Sequence, residues 1–178
     1  MLLDLTHLRQ PETTLARHSE ASAFDGREHL FRIVAPVDLR LTVHKDRDRF
    51  RLVGTVGTAI ELGCSRCLEA YRLRVDAPFD LHYLPQSANS GETEREVADD
   101  DLSAAYYSDE TIDLGQLIEE QLYLALPMKP LCRDDCQGLC PQCGANLNAE
   151  RCSCDVRWSD PRLAGLKALI MEPEKDDA

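Results

Sequence analysis

The sequence predicts an α+β protein in which an antiparallel β meander, or a partly closed barrel, is covered by a helix and followed by a cysteine-rich, zinc-binding segment. Three observations carry this prediction. Apolar and polar residues alternate in several runs between residues 30 and 84, as they do in half-buried strands. One run after residue 112 has helical spacing. Six of the eight cysteines lie within residues 132–154, at separations typical of tetrahedral zinc sites.

The composition is that of a folded protein, and the first residues predict a reducing compartment. Apolar residues make up 43% and charged residues 29% of the 178 residues, which is ordinary for a globular protein. The first ten residues contain an early acid and no uninterrupted apolar run, so we expect no secretory signal, no membrane span and a cytoplasmic location. In that compartment, reduced thiols at ligand spacing favour metal binding over disulfides.

The first strands are predicted from the alternation. Residues 3–8 suggest a short edge strand or turn, and residues 11–22 a loop or a partly helical connection. Residues 37–43 alternate cleanly and predict a half-buried strand. The charged run over residues 45–49 predicts a hairpin turn, after which a second strand continues over residues 50–62.

A pair of cysteines, Cys64 and Cys67, follows this second strand and predicts a turn that binds metal. The alternation resumes over residues 71–75, and Pro78 is expected to end that strand before one more run over residues 79–83. The outcome is a meander whose polar face carries four arginines. These are Arg40, Arg51, Arg72 and Arg74.

A helix is predicted after an acidic, mobile loop over about residues 86–110. The run from Asp113 to Gln116 fits a capping box. One helical face is apolar, and Pro127 and Pro130 end the helix before the cysteine cluster. That apolar face comprises Leu114, Leu117, Ile118 and Leu122. This helix should lie across the apolar face of the meander.

These elements predict that the chain consists of two parts. We expect a β-rich domain with its packing helix over residues 1–130. Residues 131–178 form a cysteine-rich segment and a C-terminal helix that packs on the first part. The final helix is predicted from Asp160-Pro161, an N-cap followed by proline, and from an apolar stripe. The stripe comprises Leu163, Leu166, Leu169 and Ile170.

Eight cysteines suit two zinc sites of four thiolates each. The pair Cys64 and Cys67 lacks two nearby ligands, whereas the later cluster has two thiols more than one tetrahedral ion takes. The simplest partition therefore makes two groups with a structural role. They are Cys64, Cys67, Cys132 and Cys136 in the first, and Cys140, Cys143, Cys152 and Cys154 in the second.

Other chemistries are less well supported by the residues. A redox role for Cys64 and Cys67 would gain from a helix N-terminus after the first thiol, but a strand is predicted there. A catalytic zinc usually includes a histidine or carboxylate ligand, and none of the five histidines has ligand spacing to a cysteine. The sequence contains no phosphate loop, nucleophile elbow or His-Glu-x-x-His helix. We expect no enzymatic activity.

Several of these motifs together resemble the bacterial and plastid YceD family. They are Cys64-Ser-Arg-Cys67-Leu68, Ala125-Leu126-Pro127, Cys136-Gln-Gly-Leu-Cys140-Pro-Gln-Cys143-Gly144-x-Asn146-Leu147-Asn148, Cys152-x-Cys154 and Asp160-Pro161-Arg162-Leu163. Members of this family are described as large ribosomal RNA subunit accumulation proteins, and their genes commonly lie beside that of a zinc-containing large-subunit ribosomal protein, L32. The resemblance implies a role in 23S rRNA accumulation and large-subunit assembly.

The charge distribution leaves two mechanisms open for that role. The net charge is −12, but residues 27–74 carry ten bases against six acids, which leaves −16 for the remainder. The acidic remainder favours an assembly factor that binds a basic ribosomal protein or an assembly intermediate. The basic middle allows direct contact with 23S rRNA or its precursor. The candidate RNA contacts are Arg40, Arg51, Arg66, Arg72 and Arg74. A thiol-based redox or zinc sensor is a further alternative.

Overall fold

Strands dominate the part of the chain that the structure, a computed structural model, describes: residues 1–24, 30–88, 104–154 and 162. The strands and the single α-helix of this part are β1 (Leu2–Asp4), β2 (Glu12–Ser19), β3 (Arg32–Ile33), β4 (Val37–Asp46), β5 (Arg49–Gly63), β6 (Ala70–Pro85), β7 (Ala104–Tyr107), β8 (Thr111–Asp113) and α1 (Leu114–Leu124). Short 3-10 turns cover Ala21–Phe24 and Gln86–Ala88.

The centre of the fold is the antiparallel meander β4–β5–β6. Strict alternation in β4 turns Leu39, Leu41 and Val43 inward and leaves the polar residues between them outside, as a half-buried strand requires. The turn between β4 and β5 falls at Arg47, inside the predicted hairpin, with Arg47 in the left-handed region at φ 57°. The predicted meander is therefore present, and the fold is mostly sheet with one described helix.

The sheet is open. Its strand order is β2-β4-β5-β6-β7, β3 pairs with β5, and β1 pairs with β8 in a separate two-stranded sheet. The described strands do not close into a barrel, so the partly closed barrel is not the architecture of this part of the chain. Closure would need the edge strands β2 and β7 to pair with each other. In the sheet, β2 pairs with β4, and β7 pairs with β6 in parallel through His82–Pro85.

Two strand predictions were wrong. Residues 11–22, expected to be a loop or a helical connection, contain β2, which pairs with β4 from Glu12 to Ser19. Pro78 does not end a strand but lies inside the 16-residue β6, opposite Thr55. A proline is tolerated in a strand where one edge is unpaired. Since β7 pairs only with the last four residues of β6, that condition is met at Pro78.

The last part of the predicted acidic loop, over residues 104–107, is a strand. Residues 104–107 form β7, and Tyr107 is buried, with its ring 5.5 Å from Phe50 in an edge contact. Alternation is absent from this short strand, so its sequence shows no local signal. The acids at 92–101 and the predicted C-terminal helix with Leu163, Leu166, Leu169 and Ile170 lie outside the described residues.

Helix α1 begins where the capping box predicts. Asp113 is the N-cap, and its carboxylate accepts hydrogen bonds from the backbone N–H of Gly115 at 2.8 Å and of Gln116 at 3.4 Å. Partial burial opposes ionisation, but these bonds and the nearby N-terminal amine outweigh it and lower the pKa of Asp113. The predicted apolar face, with Gln121, is buried in the core. No helix among the described residues has the length and apolar character that crossing a membrane requires.

Candidate metal centres

The first candidate metal site begins at the turn that joins β5 to β6. Cys64 and Cys67 are both buried there. The N–H of Cys64 donates to the carbonyl of Glu69 at 2.9 Å, and the N–H of Leu68 donates back to the carbonyl of Cys64 at 2.9 Å. This pair of bonds closes a tight knuckle that points both thiols to one side. Leu68 takes the left-handed conformation that the knuckle needs, at φ 62°.

The chain leaving α1 brings two more thiols to this knuckle. The carbonyl of Pro130 accepts a bond from the N–H of Ser65 at 2.8 Å, which fixes the approach of the segment. Cys136 Sγ then lies 3.8 Å from Cys64 Sγ, and Cys132 Sγ lies 3.7 Å from Cys67 Sγ. A tetrahedral zinc with bonds of about 2.3 Å places its sulfurs about 3.8 Å apart. These distances therefore fit one ion, and they are too long for disulfides.

A second tetrad repeats the same local design. The N–H of Cys140 donates to the carbonyl of Ala145 at 2.8 Å, and the N–H of Gly144 donates to the carbonyl of Cys140 at 2.9 Å. The spacing of donors and acceptors equals that of the first knuckle, and Gly144, at φ 76°, takes the position of Leu68. Cys152 and Cys154 complete the group, whose four sulfurs all lie within 4.8 Å of one another.

The structure thus brings the eight cysteines together in the two groups that their spacing predicts. All eight lie in the described residues, and none forms a disulfide. Each group contains four thiols and no histidine or carboxylate, which is the donor set of structural zinc sites and leaves no open position for water. Both tetrads are compatible with zinc.

The two knuckles pack directly on each other. The N–H of Leu139 donates to the carbonyl of Arg66 at 3.2 Å. Gly138 lies at φ 76°, where a Cβ atom would come within 3.1 Å of that same carbonyl. The guanidinium of Arg66 in turn donates to the carbonyl of Cys136 at 2.8 Å. The second centre is therefore built on the first, and only glycine combines this conformation with so close an approach.

Two asparagines between Gly144 and Cys152 hold the centres together. Asn148 donates through Nδ2 to Cys136 Sγ at 3.3 Å and accepts through Oδ1 from the N–H of Gln137 at 2.8 Å. Asn146 donates to the carboxylate of Glu69 beside the first knuckle at 2.8 Å. Outer hydrogen bonds of this kind orient metal ligands. The sequence placed Asn146 and Asn148 only in the motif that resembles the family and did not predict these hydrogen bonds. Their polar side chains directly after a cysteine knuckle are the local signal for such a role.

In each tetrad one thiol ionises easily and another resists ionisation. The N–H of Cys67 lowers the pKa of Cys64 to about 6, and the N–H of Cys143 lowers the pKa of Cys140 to about 6. Burial raises the pKa of Cys132 to about 12, and neighbouring thiols, Cys143 first, raise the pKa of Cys154 to about 12. A bound cation favours the ionised form of all four thiols of a tetrad, so these shifts are compatible with metal binding.

The two tetrads differ in exposure. Three of the four thiols are buried in the first, which also packs against Tyr71, Leu131 and Leu139. In the second, only Cys140 is buried, and Cys143 is exposed. The first centre also joins parts of the chain 65 positions apart, from Cys67 to Cys132. A metal ion in the first tetrad would therefore link the sheet to the chain that leaves α1, whereas an ion in the second would link only residues 140–154.

The candidate RNA contacts do not form one free basic surface. Arg40, Arg51, Arg72 and Arg74 share the outer face of the sheet and are exposed. However, Arg51 donates to Asp80 at 2.8 Å and lowers the pKa of that carboxyl, and Arg74 lies 3.5 Å from Asp76. Among the described residues, Arg40 and Arg72 make no ion pair. Arg66 lies in the turn of the first cysteine group and not on the outer face of the sheet.

The fold and the paired tetrads define a class of protein: in the residues that the structure describes, it is a mostly β scaffold with two four-cysteine groups that could hold metal. Residues 52–170 match the family described as "Large ribosomal RNA subunit accumulation protein YceD". This chain belongs to the YceD family, as its motifs suggested. No solved structure matches the chain.

Relatives come from bacteria and plants. An uncharacterised protein of Mycobacterium tuberculosis is 38% identical over 143 residues, which cover 80% of this chain and 65% of the relative. A maize protein named "Large ribosomal RNA subunit accumulation protein YCED homolog 1, chloroplastic" is 31% identical, covering 68% of this chain and 50% of the relative. An Arabidopsis thaliana protein of the same name is 28% identical, over 70% and 46%. The chain thus spans about two thirds or less of the length of these relatives.

Proposed function

We propose that this chain is a non-catalytic factor in large ribosomal subunit biogenesis, which supports accumulation of 23S rRNA by holding a basic ribosomal protein until that protein meets the RNA. The family description and the names of the plant relatives support the link to ribosomal RNA of the large subunit. The distribution of charge over the fold supports the choice of a protein as the direct partner.

Among the residues that the structure describes, acidic charge is concentrated in the helix and the cysteine segment. Residues 104–154 carry eight acids and three bases, a net charge of −5. Two zinc ions bound by four thiolates each would make this about −9. Residues 1–24 and 30–88 together carry ten acids and eleven bases. A surface this acidic attracts basic proteins and repels RNA, which is the observation that carries the proposal.

The metal centres contribute rigidity to this surface. Zinc in a closed four-thiolate site supplies folding free energy, and it offers no position at which a substrate could bind. The two asparagines, and the carbonyl of Arg66 that accepts from the N–H of Leu139, hold the two centres against each other. The acidic segment is then presented as a fixed shape, which lowers the entropic cost of binding a partner.

Direct contact with pre-rRNA or 23S rRNA is the second candidate. It is favoured by Arg40 and Arg72, which are exposed on the outer sheet face without an ion pair among the described residues. Acids interleave with the arginines there, as the Arg51–Asp80 and Arg74–Asp76 pairs illustrate. A surface of mixed charge attracts RNA less strongly than a uniformly basic one.

The exposed Cys143 favours a third reading, a thiol or zinc sensor. Mild oxidant or chelator would then change partner binding by the intact chain.

Crosslinking in cells followed by purification of the tagged chain tests the proposal. The proposal expects a basic large-subunit protein as the main partner, with 23S rRNA recovered only through that protein. Arg40→Glu with Arg72→Glu should leave protein binding unchanged. RNA crosslinks to the chain itself, lost in this double variant, would instead support the second candidate. Arg9→Glu with Arg47→Glu is the matched control, because it reverses two exposed charges outside these positions.

A further inference from the structure

A small polar pocket lies where β7 and β8 meet the first two turns of α1. Its volume is about 310 Å³, near the lower end of the range for ligand pockets, so it is suited to a single side chain. Three tyrosines line it, one from β6 and two from β7, together with two acids, one at the N-cap of α1 and one on the helix. These are Tyr83, Tyr106, Tyr107, Asp113 and Glu120.

The hydroxyl of Tyr83 is buried at this pocket without a partner. Tyr83 is only 7% exposed, and its hydroxyl makes no hydrogen bond with any residue that the structure describes. Burial first, and then the charges of Glu120 and Asp113, raise the pKa of Tyr83 to about 12, so the hydroxyl keeps its proton and lies near both acids. A buried polar group without a partner costs free energy. A bound molecule that bonds to this hydroxyl would recover that cost.

The charge of the pocket favours a cation. Two charged side chains line it within the described part of the chain, and both are acidic. The N-terminal amine of Met1 lies 3.3 Å from Asp113 Oδ1 and partly neutralises that carboxylate. Glu120 is exposed, and its Oε1 accepts a hydrogen bond from Gln116 Nε2 at 2.8 Å. Since Glu120 makes no ion pair with a described residue, its charge attracts a cation and repels an anion.

The arrangement of the polar groups favours a cationic side chain over a metal ion. Asp113 and Glu120 are seven positions apart, a rise of about 10 Å along a helix, so they flank the pocket instead of converging on one point. The groups of potential metal ligands in the described residues are the two cysteine tetrads. The ring of Tyr106 is 40% exposed and lines the pocket. Such a ring attracts the cationic head of a lysine or arginine side chain, and a carboxylate binds the same head by charge-assisted hydrogen bonds.

We infer that this pocket binds one lysine or arginine side chain of a basic protein partner, whose cationic head lies between Glu120, the hydroxyl of Tyr83 and the ring of Tyr106. The head donates hydrogen bonds to the carboxylate of Glu120 and to the hydroxyl oxygen of Tyr83. This inference rests on the proposed function and deepens it, because it assigns a docking site for the ribosomal protein. Most of the lining belongs to residues 104–154, the acidic region on which that proposal depends.

The first test removes the charge of the pocket. It uses the full chain and the basic proteins stripped from purified large ribosomal subunits by high salt. Glu120→Gln removes the charge and keeps the size of the side chain. Glu150→Gln is the matched control, because Glu150 is an exposed acid of the same region that does not line the pocket. We expect Glu120→Gln to bind its main ribosomal protein at least fivefold more weakly and the control to bind it normally.

The second test separates binding from stability. Tyr83→Phe removes only the hydroxyl, which has no partner among the described residues. We therefore expect this variant to unfold at the same temperature as the unmodified chain or at a higher one, and to bind the ribosomal protein about threefold more weakly or worse. A photo-crosslinking residue at position 106 should label a segment of that protein that contains lysine or arginine.

Other outcomes would overturn the inference in distinguishable ways. Normal binding by Glu120→Gln and Tyr83→Phe would remove the pocket as the docking site and leave the proposed function intact. Equal weakening in Glu120→Gln and Glu150→Gln would show that overall charge, and not this pocket, holds the partner. Crosslinks from position 106 only to this chain, or to a second copy, would show that the chain covers its own pocket. Binding of 23S rRNA and of no ribosomal protein would overturn both this inference and the proposed function.

Discussion

Loss of the first metal centre should destabilise the fold more than loss of the second. The perturbation is a matched pair of substitutions, Cys132→Ser and Cys152→Ser. Each removes one ligand from one tetrad, both positions are partly buried, and serine keeps the size of the side chain. The difference between the variants therefore reports on where each centre lies in the fold.

The expected magnitudes follow from the chain that each centre closes. The first joins positions 65 apart, and the chain-entropy relation for a cross-link of that span amounts to about 4 kcal/mol. The second joins Cys143 to Cys152, a span of nine positions, for which the same relation gives about 2.5 kcal/mol. For a chain of this length, 4 kcal/mol corresponds to a fall in Tm of about 10 °C.

Thermal unfolding followed by far-UV circular dichroism, with two equivalents of zinc per chain and a non-chelating reductant, measures the difference. Cys132→Ser should lower the main transition by about 10 °C. Cys152→Ser should lower it by about 6 °C, because its loop is local and the entropy of closing it is smaller. Ser153→Ala, an exposed neighbour of two ligands, controls for substitution in the segment. Equal shifts, or a larger shift for Cys152→Ser, would refute the role of the first centre as the clip between sheet and helix.

Three further predictions follow from the local geometry. Leu68→Gly should raise the free energy of unfolding by roughly 0.5–1 kcal/mol, because Leu68 is exposed and has a positive φ. Gly144→Ala should lower the free energy of unfolding by about 1 kcal/mol. Chemical denaturation measures both changes, and a lower stability of Leu68→Gly would contradict the reasoning. Asp113→Ala should cost about 1 kcal/mol and Asp113→Ser much less. Because the folded pKa of Asp113 is lowered, the contribution of Asp113 to stability is present above the unfolded pKa and is lost as pH falls through the folded pKa. Equal losses of stability in Asp113→Ala and Asp113→Ser would argue against capping. His18 bonds to Asp38 at 2.8 Å, which raises the pKa of His18, so that contribution is present at low pH and is lost as pH rises through the raised pKa. Asp38→Asn should lower the pKa of His18 in an NMR titration, and an unchanged value would count against this bond.

The elements with strong local signals were predictable from the sequence. Strict alternation located β4, and the capping residue Asp113 located the start of α1. The partition of the cysteines was also predictable, because tetrahedral coordination limits each ion to four ligands. In these cases the local pattern and the long-range contacts favour the same structure.

The remaining features depend on long-range contacts. β2 is an edge strand whose inward residues are only partly buried, so its alternation is weak and its pairing with β4 determines it. Pro78 is compatible with β6 only because the neighbouring edge is unpaired there. The contacts of Asn146 with Glu69 and of Arg66 with Cys136 join residues about 70 positions apart. Short-range periodicity carries no information about such pairs.

Native mass spectrometry of the purified, fully reduced chain measures most directly whether the two tetrads are metal centres. The account predicts two zinc ions per chain, a mass that corresponds to eight deprotonated thiols, and unfolding of the cysteine segment when a strong chelator removes the metal. A chain that carries one zinc or none, while all remaining thiols react freely with a thiol reagent and the fold persists, would contradict it.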